Sequence, residues 1–238
     1  INISEIHNII IESCNLRDQS NDLIDDAEKI LYNELQLKPL YQLKPTFFDS
    51  SVDVRNYTTK LSNLRFRLDS SFHIPIVKKV EDALRNNSKT MIKLSDSCIT
   101  NDIVLPGRFS RTYVDQMNGV QFLGGKDLFQ LSPTTKKYLS KAVHKKQING
   151  DLKISKNDIL TPSRGTIGKV VFAPEHFSEK VISDNIINIR PTNNEIAGYL
   201  FCILNSEYGS ILLKRQIYGG VVDAMEPSML ASIEIPLL

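Results

Sequence analysis

The stretch "DILTPSRGTIGKVVF", residues 158–172, sets two short apolar runs on either side of a turn. The runs Asp158–Thr161 and Lys169–Ala173 have the length and the bounding residues of β-strands. Gly165 and Gly168 between them favour a tight turn. The stretch therefore predicts two strands joined by a hairpin turn, and the rest of the chain has to supply a sheet around them.

The two glycines and the lysine of this turn invite a phosphate-loop interpretation, which the spacing excludes. A Walker A loop requires Gly, four residues, then Gly-Lys and a Ser or Thr. Ser163 stands where the first glycine is needed, and Val170 follows Lys169. A dinucleotide fingerprint needs a helix after its glycines, whereas a strand follows here. Two interpretations stay open: a plain hairpin turn, and a contact loop in which Arg164 and Lys169 approach nucleic acid between small residues.

Similar short runs and turn signals occupy much of the chain outside the hairpin. A helix is predicted at about 74–86, and one or two amphipathic helices are predicted over Ile196–Gln216. The runs are too short and too irregularly spaced for parallel βαβ units, so the pattern favours a mixed α+β domain with a curled antiparallel sheet. The further predicted strands are Ile103–Leu105, Val120–Leu123 and Ile186–Arg190, with turns at Pro106-Gly107, Asn118-Gly119, Gly124-Gly125 and Asn149-Gly150.

The N-terminal region predicts one long helix of the coiled-coil type. No Gly or Pro occurs from Glu5 to Leu37, and large apolar residues recur there every seventh position. About 32 helical residues would form a rod of roughly 48 Å, and Lys38-Pro39 is expected to end it. Packing along its own domain is one interpretation, but the length favours a spacer or partner-binding arm. The predicted helix-pairing residues are Ile9, Leu16, Leu23, Ala27, Ile30 and Leu37.

Length and composition fit a globular protein with a real core. The 238 residues are 41% hydrophobic and 24% charged, enough for one large domain with an appendage. We place the boundary between a spacer helix at 1–38 and a second domain at 39–238. Three widely separated cysteines indicate free thiols, and no run of about 18 apolar residues predicts a membrane span or leader. The expected location is therefore cytoplasmic.

Charge is distributed unevenly along the chain. Residues 1–37 carry two basic and eight acidic residues, a net charge of −6. Residues 126–169 carry ten basic and three acidic residues, a net charge of +7. The near-neutral total of +2 conceals these two regions. The basic region is either a solvated face or a surface that meets a phosphate backbone.

The motifs of several catalytic classes are missing from the sequence. There is no Pro-Pro pair of the kind that orients a base in an amino-methyltransferase, and Glu179-Lys180 lacks the residue between Glu and Lys that a nuclease centre needs. The four histidines form no metal-ligand pattern, and Ser163 lies in no Gly-x-Ser-x-Gly elbow. The sequence therefore favours a non-catalytic binding component, and a catalytic role or a purely structural coiled-coil scaffold remain as alternatives.

Several stretches, taken in order, resemble one family. Residues 158–192 contain a Ser-x-Gly-Thr-Ile-Gly-Lys hairpin and a Ser-Asp-Asn strand, and residues 199–238 contain "YLFCILNS" and end in Ile-Pro-Leu-Leu. Upstream, "RLDSSFHIP" (67–75), "GRFSRTYV" (107–114) and "VQFLGGKDL" (120–128) are similar to the family's opening segment and middle strands. Together with the rod, they resemble the target recognition domain and spacer helix of type I restriction-modification specificity subunits.

This resemblance implies a function and a set of partners. Such a subunit has no catalysis of its own; each recognition domain reads one half of a split double-stranded DNA site, and antiparallel helices separate the two domains. It implies docking of a methyltransferase subunit and a restriction subunit, which use S-adenosylmethionine, ATP and Mg, while this chain binds no cofactor. With one helix and one domain, the chain is expected to be a fragment, a half-subunit that dimerises with a second recognition half, or the recognition module of a single-chain restriction-methyltransferase. Its end at Pro236-Leu237-Leu238 favours the fragment.

The candidate DNA-binding residues lie beside glycines or tight turns, where a loop tip can reach a duplex. Arginine can pair with guanine edges, lysine meets phosphate as a point charge, and hydroxyl groups add hydrogen bonds. Tyr138, Phe201 and Tyr208 are instead expected to pack in or near the core. The candidates are Arg108, Ser110, Arg111, Tyr113, Lys126, Ser163, Arg164 and Lys169, with Arg215 and Tyr218 before Gly219-Gly220 as secondary choices.

Overall fold

A computed structural model describes residues 2–43, 57–64, 67–219 and 223–237. Its first element is helix α1, Ile3–Glu34, whose N-terminus is capped by Asn2 through a hydrogen bond from the Glu5 N–H. The helix ends in a Schellman motif: Gln36 has a φ of 46°, and the Leu37 N–H donates to the Tyr32 carbonyl at 2.8 Å. The predicted rod is therefore present, but it stops three residues before Leu37 for a local backbone reason rather than at the proline.

The remaining helices are shorter. They comprise α2 (Leu40–Leu43), α3 (Pro75–Asn86), α4 (Lys145–Asn149), α5 (Asn194–Asn205), α6 (Glu207–Arg215) and α7 (Pro227–Ala231). The helices predicted at about 74–86 and over 196–216 are thereby confirmed. The second of these is two helices, because Ser206 caps α6 through its side chain and lies between the two elements.

Ten strands form three sheets in the described part of the chain. The strands are β1 (Thr90–Lys93), β2 (Thr100–Val104), β3 (Tyr113–Val114), β4 (Gly119–Leu123), β5 (Tyr138–Ser140), β6 (Ile159–Pro162), β7 (Val171–Phe172), β8 (Val181–Ile182), β9 (Ile186–Pro191) and β10 (Glu234–Leu237). Their orders are β1-β10, β2-β9-β6-β7 and β3-β5-β4-β8. All pairings between these strands are antiparallel except β4 with β8, which is parallel from Phe122 opposite Val181.

The mixed α+β architecture with a long N-terminal helix and antiparallel sheets agrees with the sequence prediction, whereas none of these sheets closes on itself. The segment 107–114 was matched to a strand, but only Tyr113 and Val114 are in β3; the preceding residues are a loop. The hairpin strands are confirmed, since Ile159 pairs with Phe172 and Leu160 with Val171.

The main hydrophobic core joins the end of α1 to the sheets and to α5 and α6. Leu31, Leu35 and Leu37 belong to the same buried cluster as Ile159 of β6 and Leu200 of α5. Tyr208 is fully buried and its hydroxyl donates to the Lys38 carbonyl at 2.8 Å. Tyr138 and Phe201 are half-buried, so all three aromatic residues pack as predicted. The last turn of α1 is thus built into the globular part, whereas residues 2–27 are exposed.

Leu37 requires a correction as a helix-pairing residue. Its side chain is only 8% exposed, beyond the end of α1 and within the main core, so it is not available to a second helix. Ile9, Leu16, Leu23 and Ile30 are 58–70% exposed along the helix, and Ala27 is exposed as well.

The described residues contain neither a single membrane-spanning helix nor a cluster of metal ligands. No single described helix is long and apolar enough to cross a bilayer; α5 and α6 together meet the length and composition requirement but are bent by 77°. Within residues 2–43, 57–64, 67–219 and 223–237, no group of three His, Cys, Asp or Glu side chains is placed to hold a metal ion.

Candidate nucleic-acid interface

The hairpin between β6 and β7 is the centre of the candidate surface. The Ser163 N–H donates to the Asn185 carbonyl at 2.8 Å, and the Met225 N–H donates to the Ser163 carbonyl at 2.9 Å. Ser163 is therefore held on both sides, by the turn before β9 and by the segment before α7. Arg164 forms an isolated bridge with Ala224, while its side chain is exposed. The chain thus presents Arg164 from a fixed backbone.

The two glycines of the hairpin have left-handed backbone conformations, which explains their presence. Gly165 has a φ of 80° and Gly168 a φ of 98°. At Gly168 a Cβ atom would lie 2.7 Å from Cγ of Lys214, so the stem of this lysine passes directly over the glycine. Lys214 and Lys169 are both exposed, and the hairpin tip therefore carries Arg164 and two nearby lysines.

A second loop, residues 107–112, carries Arg108 and Arg111 and is fixed to the turn before β9. Arg111 forms an ion pair with Asp184, and Nε of Arg108 lies 4.0 Å from the other oxygen of the same carboxylate. The Asp184 side chain is only 7% exposed. The guanidinium of Arg111 also lies 5.2 Å from the ring centre of Phe122, a cation–π distance. The Arg111 guanidinium is consequently held by several contacts and is 32% exposed, whereas the Arg108 side chain is 73% exposed.

These contacts bring the predicted loops to one edge of the molecule. Asp184 pairs with the arginine loop, and the next residue, Asn185, bonds to Ser163 of the hairpin. On the other side, a Cβ on Gly125 would lie 3.9 Å from Pro162, the last residue of β6. The exposed Lys126 follows Gly125 directly. We call this region the recognition edge: residues 107–113, 124–126, 163–169 and 183–185.

Tyr218 lies beside the hairpin through its own backbone pairing. Its N–H and carbonyl both bond to Ala224, the residue that also bridges Arg164. Its hydroxyl donates to Glu226 at 2.5 Å, and this hydrogen bond raises the pKa of the phenol. The ring is 37% exposed, and Gly219 beyond it has a φ of 110°. Gly220, which the sequence paired with Gly219, lies outside the described residues.

Two of the predicted contact residues do not face solvent. Ser163 is 2% exposed, because the strand end that carries it is buried on both faces. The Arg215 side chain is 9% exposed, pairs with Glu81 and stacks 4.2 Å above the Phe72 ring. Both residues therefore support the fold beneath the surface and are removed from the set of DNA contacts. Ser110 and Tyr113 are exposed, Tyr113 at 44%.

Three neighbours of the recognition edge were missed in the sequence. Asp184 pairs with the arginine loop across 73 positions, and Lys214 reaches Gly168 from another element. His144, only 4% exposed, accepts a hydrogen bond from the Thr112 N–H at Nε2. The Ser-Asp-Asn stretch drew attention to Asp184, but no local spacing connects any of the three to its partner.

The surface thus belongs to an α+β domain whose exposed arginines and lysines lie on neighbouring loops at one edge. A family model described as "Type I restriction modification DNA specificity domain" matches residues 120–237. Residues 120–237, about half of the chain, therefore belong to this family of type I restriction-modification specificity domains. No curated protein sequence matches the chain.

Several solved structures are similar to the chain. The HsdS subunit from Thermoanaerobacter tengcongensis has a TM-score of 0.45 and 16% identity, over 98% of this chain and 44% of that one. A structure described as showing complex assembly and conformational transition of the type I R-M system has a TM-score of 0.45 and 17% identity, over 99% and 46%. The S subunit from M. genitalium has a TM-score of 0.38 and 12% identity, over 64% and 35%. The chain spans less than half the length of each of these proteins.

Proposed function

We propose that this chain binds double-stranded DNA in a sequence-specific manner and reads one half of a bipartite site. The observation that carries the proposal is the convergence of the arginine loop and the hairpin at Asp184-Asn185, where one turn fixes both. Bases are read by side chains that enter a groove at a defined height and angle, so two cationic loops held by one turn suit that task. The proposed contacts are Arg108, Ser110, Arg111, Tyr113, Lys126, Arg164, Lys169 and Tyr218.

The roles of these residues divide by their surroundings. Arg164 and Arg108 extend into solvent and are proposed to reach base edges. Arg111 is already engaged by Asp184 and two aromatic rings, so it orients the loop and offers its remaining donors to a phosphate. Lys126 and Lys169 are proposed to meet phosphates, because a lysine acts as a point charge without the planar fork of arginine.

We further propose that α1 pairs with a second helix, from another recognition half. Ile9, Leu16, Leu23 and Ile30 form an exposed apolar row at seven-residue spacing. Leu23 and Ala27 also line an apolar groove between α1 and the globular part, together with Phe201. A second helix on this row would cover surface that α1 alone leaves in water. The domain limits remain proposed as 1–38 and 39–238, with Leu31, Leu35 and Leu37 joining the helix to the core of the second domain.

The methyltransferase and restriction subunits are proposed partners of the assembled form. In that arrangement S-adenosylmethionine, ATP and Mg are used by those subunits, and this chain contributes recognition. The structure described for the type I R-M system concerns assembly of such a complex, in the words of its description. The recognition module of a single-chain restriction-methyltransferase is a second context in which the same surface would serve.

The first experiment selects duplexes from a randomised library with the purified chain at low and moderate salt. An enriched short motif is expected and would identify half of the target. Binding that is salt-sensitive but has no motif would mean that specificity requires the second half or the methyltransferase. Absence of binding at both salt concentrations would contradict the proposal and favour the scaffold alternative.

A second experiment addresses helix pairing. Leu23→Asp with Ile30→Asp places two charges on the apolar row without touching the buried Leu31, and it is expected to abolish self-association. Light scattering of the variant and of an Asn8→Asp, Asn15→Asp control, which adds the same charge at exposed positions outside the row and the groove, separates loss of the apolar seam from a general charge effect. Unaltered assembly of the first variant would show that the row is not the interface.

A further inference from the structure

Next to the recognition edge lies a lysine-rich stretch that no assigned role uses. Residues 131–150 contain five lysines and no Asp or Glu. All five are exposed, and none forms an ion pair with a residue that the structure describes. These lysines differ in this respect from Arg108 and Arg111, which both contact the Asp184 carboxylate.

His144 fixes part of this stretch against the arginine loop. Its Nε2 accepts a hydrogen bond from the Thr112 N–H at 3.0 Å, and its ring centre lies 5.2 Å from that of Phe109 in an edge-on arrangement. The residues that follow His144 are Lys145 and Lys146, the first turn of α4.

The backbone adds two more links to the same region. The Ser140 N–H donates to the Thr112 carbonyl at 3.0 Å, and the Lys141 N–H donates to the Asn118 carbonyl at 3.2 Å. Ser140 ends β5, which pairs with β3 directly after the arginine loop. Both ends of the short 140–144 turn are therefore bonded to Thr112 of the 107–113 loop. This turn and the residues after it carry Lys141, Lys145 and Lys146. We call these three residues the lysine flank.

We propose that the lysine flank is a phosphate-binding site that continues the recognition edge along the DNA backbone, without reading sequence. The inference rests on the proposed function, because it takes a duplex at the arginine loop as its starting point. A phosphate backbone presents regularly spaced negative charge beyond the bases that are read, and exposed lysines that form no ion pair with a described residue match that chemistry. The flank supplies affinity and orientation, while the arginines and Tyr113 discriminate between sequences.

Two acidic side chains of the neighbouring loops have other partners. Asp184 is engaged by the two arginines, and the Asp115 carboxylate accepts hydrogen bonds from the Asn118 side chain and N–H at 3.0–3.2 Å. Asp115 therefore closes its own turn. No ion pair with a described residue occupies the three lysines, and an acidic protein surface is the competing occupant that the experiment has to distinguish.

The test compares the salt dependence of DNA binding between two double variants of the full chain. Lys145→Gln with Lys146→Gln removes two charges from the flank. Lys89→Gln with Lys93→Gln removes two from exposed positions at β1, which shares no sheet with the recognition loops. Fluorescence anisotropy measures binding to a duplex that carries the selected motif and to a scrambled duplex, between 0.05 and 0.2 M salt.

The expected result follows from counterion release. When two lysines no longer neutralise phosphates, the slope of log K against log salt falls in magnitude by about 1.8. The ratio of wild-type affinity to variant affinity therefore falls roughly twelvefold as the salt concentration rises about fourfold. The same change is expected on both duplexes, and the selected motif stays the same. The control variant is expected to keep the wild-type slope.

Three results would count against the inference. A flank variant that matches the control would show that the lysines do not touch phosphate. A variant that binds DNA normally but loses association with an acidic protein partner would assign the flank to that partner instead. If the wild type itself shows no salt-dependent DNA binding, the proposed function is wrong, and the inference about the flank falls with it. The wild-type titration therefore distinguishes this case from a failure of the flank inference alone.

Discussion

Arg164 offers the sharpest single test of the recognition edge. Its side chain is exposed and forms no hydrogen bond or ion pair with a described residue, whereas its backbone is bridged to Ala224. Truncation to Ala therefore leaves the hairpin intact and is expected to change the free energy of unfolding by no more than about 0.5 kcal/mol. A base contact by arginine contributes about 1–3 kcal/mol, so the dissociation constant should rise roughly fivefold to 150-fold.

The assay is a titration of the selected duplex with wild type, Arg164→Ala and Arg164→Lys, each checked by thermal unfolding. Lysine keeps the charge but lacks the two-pronged geometry, so Arg164→Lys separates the two kinds of contact. If Arg164 reads a base, Arg164→Lys remains defective and the preference at one position of the motif relaxes. Full recovery by lysine would indicate a phosphate contact. An Arg164→Ala variant with unchanged affinity and motif would refute the assignment.

Three further predictions concern the support of the site. Gly168→Ala should lower the free energy of unfolding, measured in urea, more than Gly165→Ala does. Both glycines have a positive φ, but only a side chain at 168 would force Lys214 aside. Equal losses of stability would show that the lysine contact does not matter. Burial raises the pKa of Asp158 above 3.8, so the native state favours the protonated form, and wild-type stability should fall as pH rises from 3.8 through that raised value. Asp158→Asn should reduce this dependence of stability on pH. If the free energies of unfolding of the two proteins, measured in urea, change equally between about pH 3.5 and 7, the assignment is wrong. His144→Phe keeps an aromatic ring beside Phe109 but leaves the Thr112 N–H without its acceptor, at a cost of about 1–3 kcal/mol; amide exchange at Thr112 should accelerate, and unchanged protection would show that the hydrogen bond is dispensable.

Local patterns were sufficient for the elements that local chemistry determines. The hairpin strands are apolar runs bounded by turn residues, and α1 is a long run without Gly or Pro, so both were predictable. Leu37 was misplaced because the seven-residue spacing continues through it. The helix actually ends where Gln36 adopts a left-handed conformation, which glutamine does not signal in a sequence. Strands β1 and β10 were missed because each is four residues long and stabilised mainly by its partner.

The candidate site was predictable only where glycine marks a tight turn. Gly107 and Gly165 pointed to Arg108 and Arg164, and both arginines are exposed. Ser163 satisfied the same rule and is nevertheless buried, since adjacency to a turn says nothing about which face a strand end presents. The partners Asp184, His144 and Lys214 come from other elements, and tertiary packing alone brings them to the surface loops.

The position of α1 relates the acidic N-terminal region to the basic loops of the recognition edge. Leu31, Leu35 and Leu37 are at most 8% exposed and share a core cluster with Ile159 of β6, the strand that leads into the hairpin. The axis of α1 is therefore fixed relative to the recognition edge. The exposed part of the helix is acidic, so in the proposed function it would repel a phosphate backbone and steer a duplex towards the arginine and lysine loops, while the apolar row would stay available to a second helix. In the proposed function, the distance between two half-sites is then set by helix length and by these three leucines, and not by the loops that read the bases.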